Sequence, residues 1–430
     1  MITAGIIAEY NPFHKGHQYH IEETRRKTNA DYVIVVMSGD FVQRGEPAIA
    51  DKYFRTKLAL KGGADLVLEL PVVYATASAE YFATAGVKLL HKLGCVDYLS
   101  FGSEWATVKD YEPYVRLLAE ESAGYKQLLK DGLCKGKRFP LARLDALIQL
   151  LEREGKDGRS IAAFLSEPNH ILGLEYLKTL KRLDSSIIPI TIKREGAGYH
   201  EKEWGQKFPS ATALRHQLKE NSQKDLLKSG MNEGAEELAD RYRKGDFAEW
   251  NDLFPYLEYD YLIQKAFGDN KTGNYFGMDE EMYRRFCRYF QPGLSFEELM
   301  EKMHTKNMTD ASLRRGFLHM VLNVKKYDFL DNAADIPVPY GRVLGFSRKA
   351  TPLLKKIRKK AELDLIQKPV LGQKLYQNGT EEAVLFSTDV LASDYYEMIA
   401  SRKANRKFRP ELSACQIIST GDDDALLAGE

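Results

Sequence analysis

The first half of the chain alternates between short apolar runs and segments in which apolar residues recur with helical spacing. Five apolar runs are rich in β-branched residues and predict buried strands. These runs are residues 2–9, 31–38, 64–70, 97–101 and 187–193. The helices predicted between them are 17–29, 51–62, 78–92 and 169–182. Buried strands separated by helices indicate an α/β fold with a parallel sheet.

The pattern changes at about residue 230, where helical periodicity becomes dominant. The segments with helical spacing are 232–245, 280–290, 311–330 and 351–363, and residues 340–347 could form a short strand. We therefore predict two domains, residues 1–225 and a mainly α-helical domain of residues 226–430, with a boundary somewhere in 218–235. The acidic tail at 421–430 is expected to fray.

Composition narrows the class of protein. The chain has 430 residues, of which 44% are hydrophobic and 29% charged, with a formal net charge of +1. Any nucleic-acid contact therefore needs a local basic face. Four scattered cysteines form no C-x-x-C pair, so neither a metal site nor a disulfide framework is predicted. We find no signal peptide or apolar stretch of membrane-spanning length, and we expect a cytoplasmic protein.

The segment after the first predicted strand, NPFHKGH, has the clearest chemistry. Pro12 fixes the turn, and Gly16 allows a close approach of a ligand. His17 opens a helix whose free N–H groups favour an anion. His14 and His17 are three residues apart, so they can converge on one group and donate hydrogen bonds to a phosphoryl oxygen. The alternative is that they are surface histidines at a turn.

Polar groups also follow the second predicted strand. Asp40 could orient or deprotonate an amine, or it could cap a turn while Arg44 pairs with Glu46. Asp51, Lys52 and Arg55 come next, and their spacing favours an ion pair on a solvated helix face over a phosphate contact.

The segment PSATALR follows the fifth predicted strand. Ser210 and Thr212 offer hydroxyl groups and Arg215 a guanidinium group at a helix start, which suits phosphates. Ser210 could equally be an N-cap, and the two roles are compatible.

Two of these motifs together resemble those of a known superfamily. HKGH is similar to the H-x-G-H signature of nucleotidyltransferases and class I aminoacyl-tRNA synthetases, and PSATALR resembles their second signature. The resemblance implies a Rossmann-like sheet of five parallel strands in the order 3-2-1-4-5. The first and fourth strands would then flank the point where strand order reverses, and NPFHKGH would face FGSE across one ATP site.

A narrower resemblance covers nearly the whole chain. EYNPFHKGHQYH, SGDFVQRGEPA, GADLVLELPV, FGSE, SEPNHILGLEYL and REGAGYH resemble the bacterial tRNA(Met) cytidine acetate ligase family. That family implies an enzyme that uses ATP and acetate to form acetyl-adenylate and acetylates N4 of the wobble cytidine of elongator tRNA(Met). Where family members usually carry two asparagines, this chain has Asn169 followed by His170.

The resemblance also implies roles for individual residues. The expected ATP contacts run from Ile7 through His20, and those named are Ile7, Asn11, Pro12, Phe13, Gly16 and His20, together with Gly102, Asn169 and Arg194. His14 and His17 would act on the α-phosphate and the leaving bridge oxygen. The groups expected to neutralise the other phosphates are Lys15, Arg194, Ser210, Thr212 and Arg215. Magnesium is expected to travel with ATP rather than to occupy a protein site.

The tRNA requires a basic surface, and segment 342–360 is rich in lysine and arginine and has no acidic residue. Segment 401–409 is a second candidate, preceded by Tyr395 and Tyr396, which could stack on bases. The residues expected to contact RNA are Arg348, Lys349, Lys355, Lys356, Arg358, Lys359, Lys360, Arg402 and Lys403. In segment 308–316, Asp310 replaces a basic residue expected before the arginine pair.

Two other functions explain part of the sequence. A small-molecule adenylyltransferase of the pantetheine-phosphate or nicotinamide type would carry the same two motifs, but it does not need 200 further residues with basic helical runs. A catalytically inert RNA-binding protein with the same fold is the second alternative, and the intact His14, Gly16 and His17 weigh against it. No stable protein partner is evident from the sequence.

Overall fold

The computed structural model describes residues 1–137, 139–194, 209–219, 230–267, 274–305, 308–375, 379–419 and 426–428. The strands are β1 Thr3–Ala8, β2 Tyr32–Ser38, β3 Phe41–Val42, β4 Glu46–Pro47, β5 Leu66–Leu70, β6 Tyr98–Ser103, β7 Ile188–Lys193, β8 Tyr340–Ser347, β9 Asp364–Ile366, β10 Ile417–Ser419 and β11 Leu426–Ala428.

The helices of the N-terminal half are α1 Lys15–Thr28, α2 Lys52–Lys61, α3 Val72–Ala75, α4 Ala79–Lys92, α5 Val108–Glu120, α6 Ala123–Cys134, α7 Phe139–Arg153, α8 Gly158–Ser166, α9 Pro168–Arg182 and α10 Ala211–Lys219. The later helices are α11 Ala235–Arg243, α12 Trp250–Phe267, α13 Glu280–Tyr289, α14 Phe296–Met303, α15 Asp310–Val321, α16 Thr351–Lys360, α17 Pro369–Leu375 and α18 Glu381–Lys403. Three short 3₁₀ helices are Asp328–Leu330, Arg348–Ala350 and Glu411–Ser413.

A nine-stranded sheet runs through the described residues. Its order is β11-β10-β8-β5-β2-β1-β6-β7, and β9 pairs with β8. Five strands of the N-terminal half are parallel in this sheet and lie in the order β5-β2-β1-β6-β7, whereas β3 and β4 form a separate antiparallel pair. Strand order therefore reverses between β1 and β6, and the carboxyl ends of these two strands lie side by side.

The sheet is larger than the five parallel strands that the sequence predicts. β8, from the C-terminal half, pairs antiparallel with β5 and continues the sheet through β10. Residues 340–347, expected as a possible short strand, thus extend the sheet of the N-terminal half. In the acidic tail, expected to fray, Leu426–Ala428 pairs with β10. The predicted two-domain division stays a prediction, and residues 220–229 within its boundary lie outside the described chain.

The two faces of the sheet are covered by different helices. Val33, Val35 and Val67 belong to one buried apolar cluster, which includes Ile21 of α1 and Leu58 of α2. The alternate positions Ile34, Val36, Leu66 and Leu68 belong to a second cluster, which contains the apolar face of α4. Successive side chains of a strand point to opposite faces, so continuous apolar strands require helices on both sides.

The helix predicted at 311–330 is shorter than its apolar pattern suggests. It is α15, which ends at Val321, and Asn323 adopts a left-handed conformation with φ 53°. Asparagine tolerates this conformation, which terminates helices. Among the described residues, no helix combines the length and the apolar character needed to cross a lipid bilayer.

The expectation of a solvated ion pair at the start of α2 is wrong. Lys52 and Arg55 are fully buried. Lys52 Nζ lies 2.8 Å from Glu69 of β5 and 2.9 Å from Glu411, and Arg342 of β8 lies 3.1 Å from Glu69 and contacts Glu411. The charged side chains point inward because β8 and the Glu411 segment cover this helix face, which local spacing cannot reveal.

Candidate functional site

An open cavity of about 220 Å³ lies at the carboxyl ends of β1, β6 and β7, against the start of α10. Twelve of the residues predicted from the sequence line it: Ile7, Asn11, His14, Gly16, His17, His20, Gly102, Asn169, Arg194, Ser210, Thr212 and Arg215. They come from five separate segments of the chain, which the fold brings to one end of the parallel strands.

Four predicted residues lie outside the wall of this cavity. Pro12 and Phe13 are buried, and the Phe13 ring packs edge-on against Tyr10 with centroids 4.9 Å apart. Lys15 is the first residue of α1. Asp40 is buried, and its Oδ1 accepts a hydrogen bond of 2.7 Å from the Lys52 backbone N–H. Asp40 thus supports the start of α2, as the turn-capping alternative expected.

His14 and His17 form the N-terminal cap of α1. His14 Nδ1 accepts a hydrogen bond of 3.0 Å from the Gly16 N–H, and His17 Nδ1 accepts one of 3.3 Å from the His14 N–H. The two rings stack with centroids 3.7 Å apart and planes 25° apart. Because each Nδ1 is an acceptor, each neutral ring carries its proton on Nε2. Both rings can therefore donate an Nε2–H hydrogen bond.

The surroundings keep these imidazoles neutral. Burial lowers the pKa of His14 to about 3, and the guanidinium groups of Arg194 and Arg215 contribute to the shift. Burial also lowers the pKa of His17 well below its usual value, with His14 and Arg194 adding to the effect. The pKa of His20 is lowered to about 4 by burial and by Arg194. At neutral pH the wall therefore offers neutral donors beside permanent cations.

The start of α10 is tied to the loop after β1. Ser210 Oγ accepts a hydrogen bond of 3.1 Å from the Ala213 N–H, so the N-cap role is present. Arg215 Nη1 donates to the Asn11 carbonyl oxygen at 2.7 Å and Nη2 to Thr212 Oγ1 at 3.3 Å. Arg215 thereby holds two walls of the cavity together and places its positive charge between them.

The wall formed by β6 and α9 contains the remaining predicted residues. A Cβ atom on Gly102 would lie 3.4 Å from Cγ of Arg194, so the arginine stem passes directly over this strand end. Asn169 donates from Nδ2 to Glu104. His170 is fully buried, with Nδ1 3.1 Å from the Phe164 carbonyl oxygen, and does not line the cavity. The residue that follows Asn169 is thus part of the core.

The cavity wall also contains residues that the sequence analysis did not name individually as ATP contacts. They are Ala8, Glu9, Tyr10, Tyr19, Gln43, Arg44, Phe82, Phe101, Leu172, Tyr176, Ile192, Lys193, Pro209 and Ala211. Most are apolar or aromatic and look like core positions in the sequence. Helical spacing could have indicated Leu172 and Tyr176, which lie three and seven positions after Asn169 on α9. Phe82 and Ile192 carry no such signal.

A basic helix of the C-terminal half lies beside the β3–β4 hairpin. Glu46 forms an ion pair of 2.9 Å with Arg314 of α15 and lies 3.8 Å from Arg215. Arg315 donates to the Gln43 carbonyl oxygen at 3.4 Å. Glu46, expected as a partner of Arg44, is therefore bound to α15 and α10. The arginine pair that follows Asp310 lies next to the cavity.

The basic residues 348–360 lie at the opposite end of the parallel strands, whereas Arg342 belongs to the buried cluster with Glu69. Lys349 Nζ is 2.9 Å from Asp65, which directly precedes β5, and Lys356 Nζ donates to the Met1 carbonyl oxygen at 3.4 Å. The carbonyl of Lys360 packs against Gly94, which precedes β6. These contacts are with the amino ends of the parallel strands, whereas the cavity is at their carboxyl ends.

Most of the expected RNA-contacting residues are on the surface. The exposed ones are Arg348, Lys349, Lys355, Arg358, Lys359, Lys360, Arg402 and Lys403. Lys403 forms an ion pair of 2.6 Å with Asp252, and its ammonium group lies over the Phe247 ring. Tyr396 is buried and donates to the Ala48 carbonyl oxygen, so the expectation that it stacks on bases is wrong.

Two predicted features are only partly covered by the described residues. The motif REGAGYH retains Arg194, but its residues 195–200 lie outside the described chain. Within the described residues, no group of three or more histidine, cysteine, aspartate or glutamate side chains is arranged to hold a metal ion.

Comparison with known proteins identifies the family. The family model described as "HIGH Nucleotidyl Transferase" matches residues 1–411. The chain belongs to this family. It is 39% identical over 400 residues to a protein of Caldanaerobacter subterraneus subsp. tengcongensis named tRNA(Met) cytidine acetate ligase, covering 93% of this chain and 95% of that protein. A protein of Acetivibrio thermocellus with the same name is 37% identical and covered over its whole length, with 97% of this chain matched.

Solved structures of the family are similar over nearly the full chain. The crystal structure of Thermotoga maritima TmcAL bound with alpha-thio ATP superimposes with a TM-score of 0.85 at 31% identity, covering 98% of this chain and all of that chain. The apo form of the same protein gives a TM-score of 0.87 at 32% identity. The resemblance stated from the sequence motifs is thus confirmed, as is the α/β class.

Proposed function

We propose that this protein is an ATP-dependent ligase that acetylates N4 of the wobble cytidine of elongator tRNA(Met), with acetate as the acyl donor. The proposal rests on the neutral imidazole pair at the start of α1, in which each ring carries an Nε2–H donor. Both histidines line the cavity, as do Arg194 and Arg215. The names of its relatives supply the substrates, and the ATP analogue bound to the Thermotoga protein supports ATP as the nucleotide.

The first step is attack of an acetate oxygen on the α-phosphorus of ATP. A new P–O bond forms, the bond to the bridging oxygen breaks, and pyrophosphate leaves with the electron pair. His14 and His17 donate hydrogen bonds to the α-phosphoryl oxygens and the bridging oxygen, where negative charge increases. A neutral donor stabilises this charge without losing its proton, so the low pKa of each ring suits the role.

The remaining phosphates need positive charge and hydrogen-bond donors. We assign this role to Arg194, Arg215 and Thr212, together with the free backbone N–H groups at the start of α10. Mg²⁺ would enter with ATP, bound mainly by phosphate oxygens. Lys15 lies outside the cavity wall, so we keep it only as a candidate for contact with the β- and γ-phosphates.

The second step transfers the acetyl group from the adenylate to the cytidine amine. The wobble base lies in a single-stranded loop, so its Watson–Crick edge can enter the cavity without opening a duplex. We assign contact with the phosphates that flank this base to the arginine pair of α15, because it lies beside the β3–β4 hairpin. As tRNA is the acceptor, we expect the protein to act in the cytoplasm and to need no stable protein partner.

The proposal is tested by two measurements on the purified protein and its host. Acetate-dependent exchange of labelled pyrophosphate into ATP is expected, because the first step is reversible. Mass spectrometry of elongator tRNA(Met) from a strain lacking the protein is expected to show loss of N4-acetylcytidine. Normal levels of the modified nucleoside in that strain, or exchange that requires a phosphopantetheine or nicotinamide mononucleotide instead of acetate, would contradict the proposal and favour a small-molecule adenylyltransferase.

A further inference from the structure

The transfer step releases a proton that the cavity must accept. The N4 nitrogen of cytosine is a weak nucleophile because its lone pair is delocalised into the ring. When N4 attacks the acetyl carbon, an N–C bond forms and the C–O bond to the adenylate phosphate breaks. AMP leaves with the electron pair, and N4 must lose one proton. A positioned base that accepts this proton accelerates such a step by about 10²–10⁴-fold.

Most polar groups of the wall cannot act as this base. In His14 and His17, Nδ1 already accepts a backbone N–H and Nε2 carries the ring proton. Burial raises the pKa of Tyr10 and of Tyr176, so these phenols stay protonated. The lysine and arginine side chains of the wall carry N–H donors and no acceptor atom.

Glu9 is the only aspartate or glutamate among the described residues that line the cavity. Asp40, the base suggested by the sequence, is buried outside it and bonded to the Lys52 N–H. Glu46, the nearest other acid on the β3–β4 hairpin, is paired with Arg314.

The fold holds Glu9 in place at both its backbone and its side chain. The residue directly follows β1, five positions before His14. Its carbonyl oxygen accepts a hydrogen bond of 2.7 Å from Arg55 Nη1, and its Oε1 accepts one of 2.7 Å from the Gln43 N–H. The side chain is half-buried. A fixed carboxylate at the cavity wall has the pre-organisation that a general base requires.

We propose that Glu9 is the proton acceptor of the acetyl-transfer step, taking the proton from cytidine N4 as AMP leaves and passing it to solvent. The inference rests on the proposed function and adds a role for one residue of the same cavity. The surroundings strengthen the base, because burial raises the pKa of Glu9 above the usual value. The charged groups that act on it are Arg44 and Arg215, which lower its pKa, and Glu46, which raises it.

The test separates the two half-reactions in Glu9→Gln. The glutamine keeps an oxygen that can accept from the Gln43 N–H, so the fold is preserved, but it cannot take a proton. Acetate-dependent pyrophosphate exchange is expected within about 3-fold of wild type. Single-turnover transfer from preformed enzyme-bound acetyl-adenylate to tRNA is expected to fall about 100-fold. The rise of the wild-type transfer rate with pH is expected to disappear in Glu9→Gln and to survive in Glu9→Asp at a lower rate.

Glu22→Gln is the matched control, because Glu22 is an exposed carboxylate on α1; both half-reactions are expected to be unchanged. A parallel fall of exchange and transfer in Glu9→Gln would overturn the assignment and make Glu9 part of the ATP site. Normal transfer in Glu9→Gln, or loss of the pH dependence in Asp40→Asn instead, would also overturn it. Absence of both half-reactions in the wild-type protein would overturn the proposed function, and with it this role.

Discussion

The hydrogen bonds that start α1 also set the chemistry of the site. Histidine is not a favoured N-cap residue, and serine, threonine, aspartate or asparagine usually serves there. In this protein the cap bonds of His14 and His17 occupy both Nδ1 atoms and leave both Nε2–H groups for a ligand. A conventional cap would stabilise the helix equally well but would place no second donor in the cavity. Local structure and chemistry thus depend on the same two side chains.

Replacing His14 by asparagine separates these two roles. Asparagine caps helices well, so the thermal midpoint of His14→Asn is expected to stay within a few degrees of wild type. The Nε2–H donor is lost, and acetate-dependent pyrophosphate exchange is expected to fall by about 10²–10³-fold. Calorimetry and the exchange assay check the two results. An exchange rate within 3-fold of wild type would show that the ring does not contact the reacting phosphate.

The low pKa values of the cavity histidines predict an unusual titration. His14 and His20, with pKa lowered to about 3 and about 4, and His17, lowered in the same direction, are expected to stay neutral between pH 8 and pH 5.5. Nitrogen-15 chemical shifts of labelled histidine side chains measure this directly. The urea-unfolded protein is the control, in which histidines titrate near pH 6.5.

The same shifts have a defined effect on stability. Below about pH 6.5 the unfolded chain binds protons at these histidines. In the folded chain the pKa is about 3 for His14 and about 4 for His20, and that of His17 is lowered in the same direction. The contribution of these histidines to the free energy of unfolding therefore decreases as pH falls from about 7 to 4. Titration of the cavity resonances near pH 6.5 in the folded, ligand-free protein would contradict the assignment of neutral donors.

At the level of elements, α2 illustrates how tertiary contacts override a local pattern. Its charged residues resemble those of a solvated face, yet Lys52 is buried between Glu69 and Glu411 and Lys57 remains on the surface. Arg342 of β8 completes the buried cluster. The cluster joins α2, β5 and β8 through charge pairs that water does not screen. Loss of one partner leaves another charge buried without compensation.

Two lysine substitutions on α2 compare these environments. Lys52→Met is expected to lower the free energy of unfolding by about 3–5 kcal/mol, because Glu69 and Glu411 lose a buried partner. Lys57→Met removes a partly exposed pair with Glu237 and is expected to cost less than about 1 kcal/mol. Urea denaturation monitored by circular dichroism measures both. Equal losses would mean that the Lys52 cluster is accessible to water.

At the scale of the whole molecule, two of the candidate RNA surfaces, α15 and α16, lie on different sides. α15 is beside the cavity, whereas α16 is at the amino edge of the sheet. A strand of six residues such as β6 spans about 20 Å, so α16 is too far away to touch the nucleotides beside a base held in the cavity. If α16 binds RNA, it binds a more distant part of the tRNA body.

This separation predicts a dependence on substrate size. Lys355→Glu combined with Lys359→Glu is expected to weaken binding of full-length tRNA about 10-fold and to reduce the salt slope of binding by about two. Acetylation of an isolated anticodon stem-loop is expected to be unchanged. Lys130→Glu with Lys135→Glu, at the exposed end of α6, is the control and should affect neither substrate. Equal losses with tRNA and stem-loop would place α16 at the anticodon.

The sequence by itself determined the local structure and the place of the chemistry. Apolar periodicity located the five parallel strands of the first half and the helices α1, α2, α4 and α9, because a half-buried or buried element needs apolar residues at its own period. NPFHKGH, FGSE and PSATALR could be assigned to one site, because the carboxyl ends of parallel strands share an edge. The resemblance to the nucleotidyltransferase superfamily came from two of these segments, through HKGH and PSATALR.

Only the tertiary structure decided which distant elements surround the side chains at those positions. Three features depend on contacts between residues far apart in the chain. β8 joins the sheet, Lys52 is buried, and Asp40 lies behind the cavity. Leu172 and Phe82 became site residues because packing brought their side chains to the cavity. Local pattern cannot encode such contacts, because burial of a side chain depends on which distant element covers it.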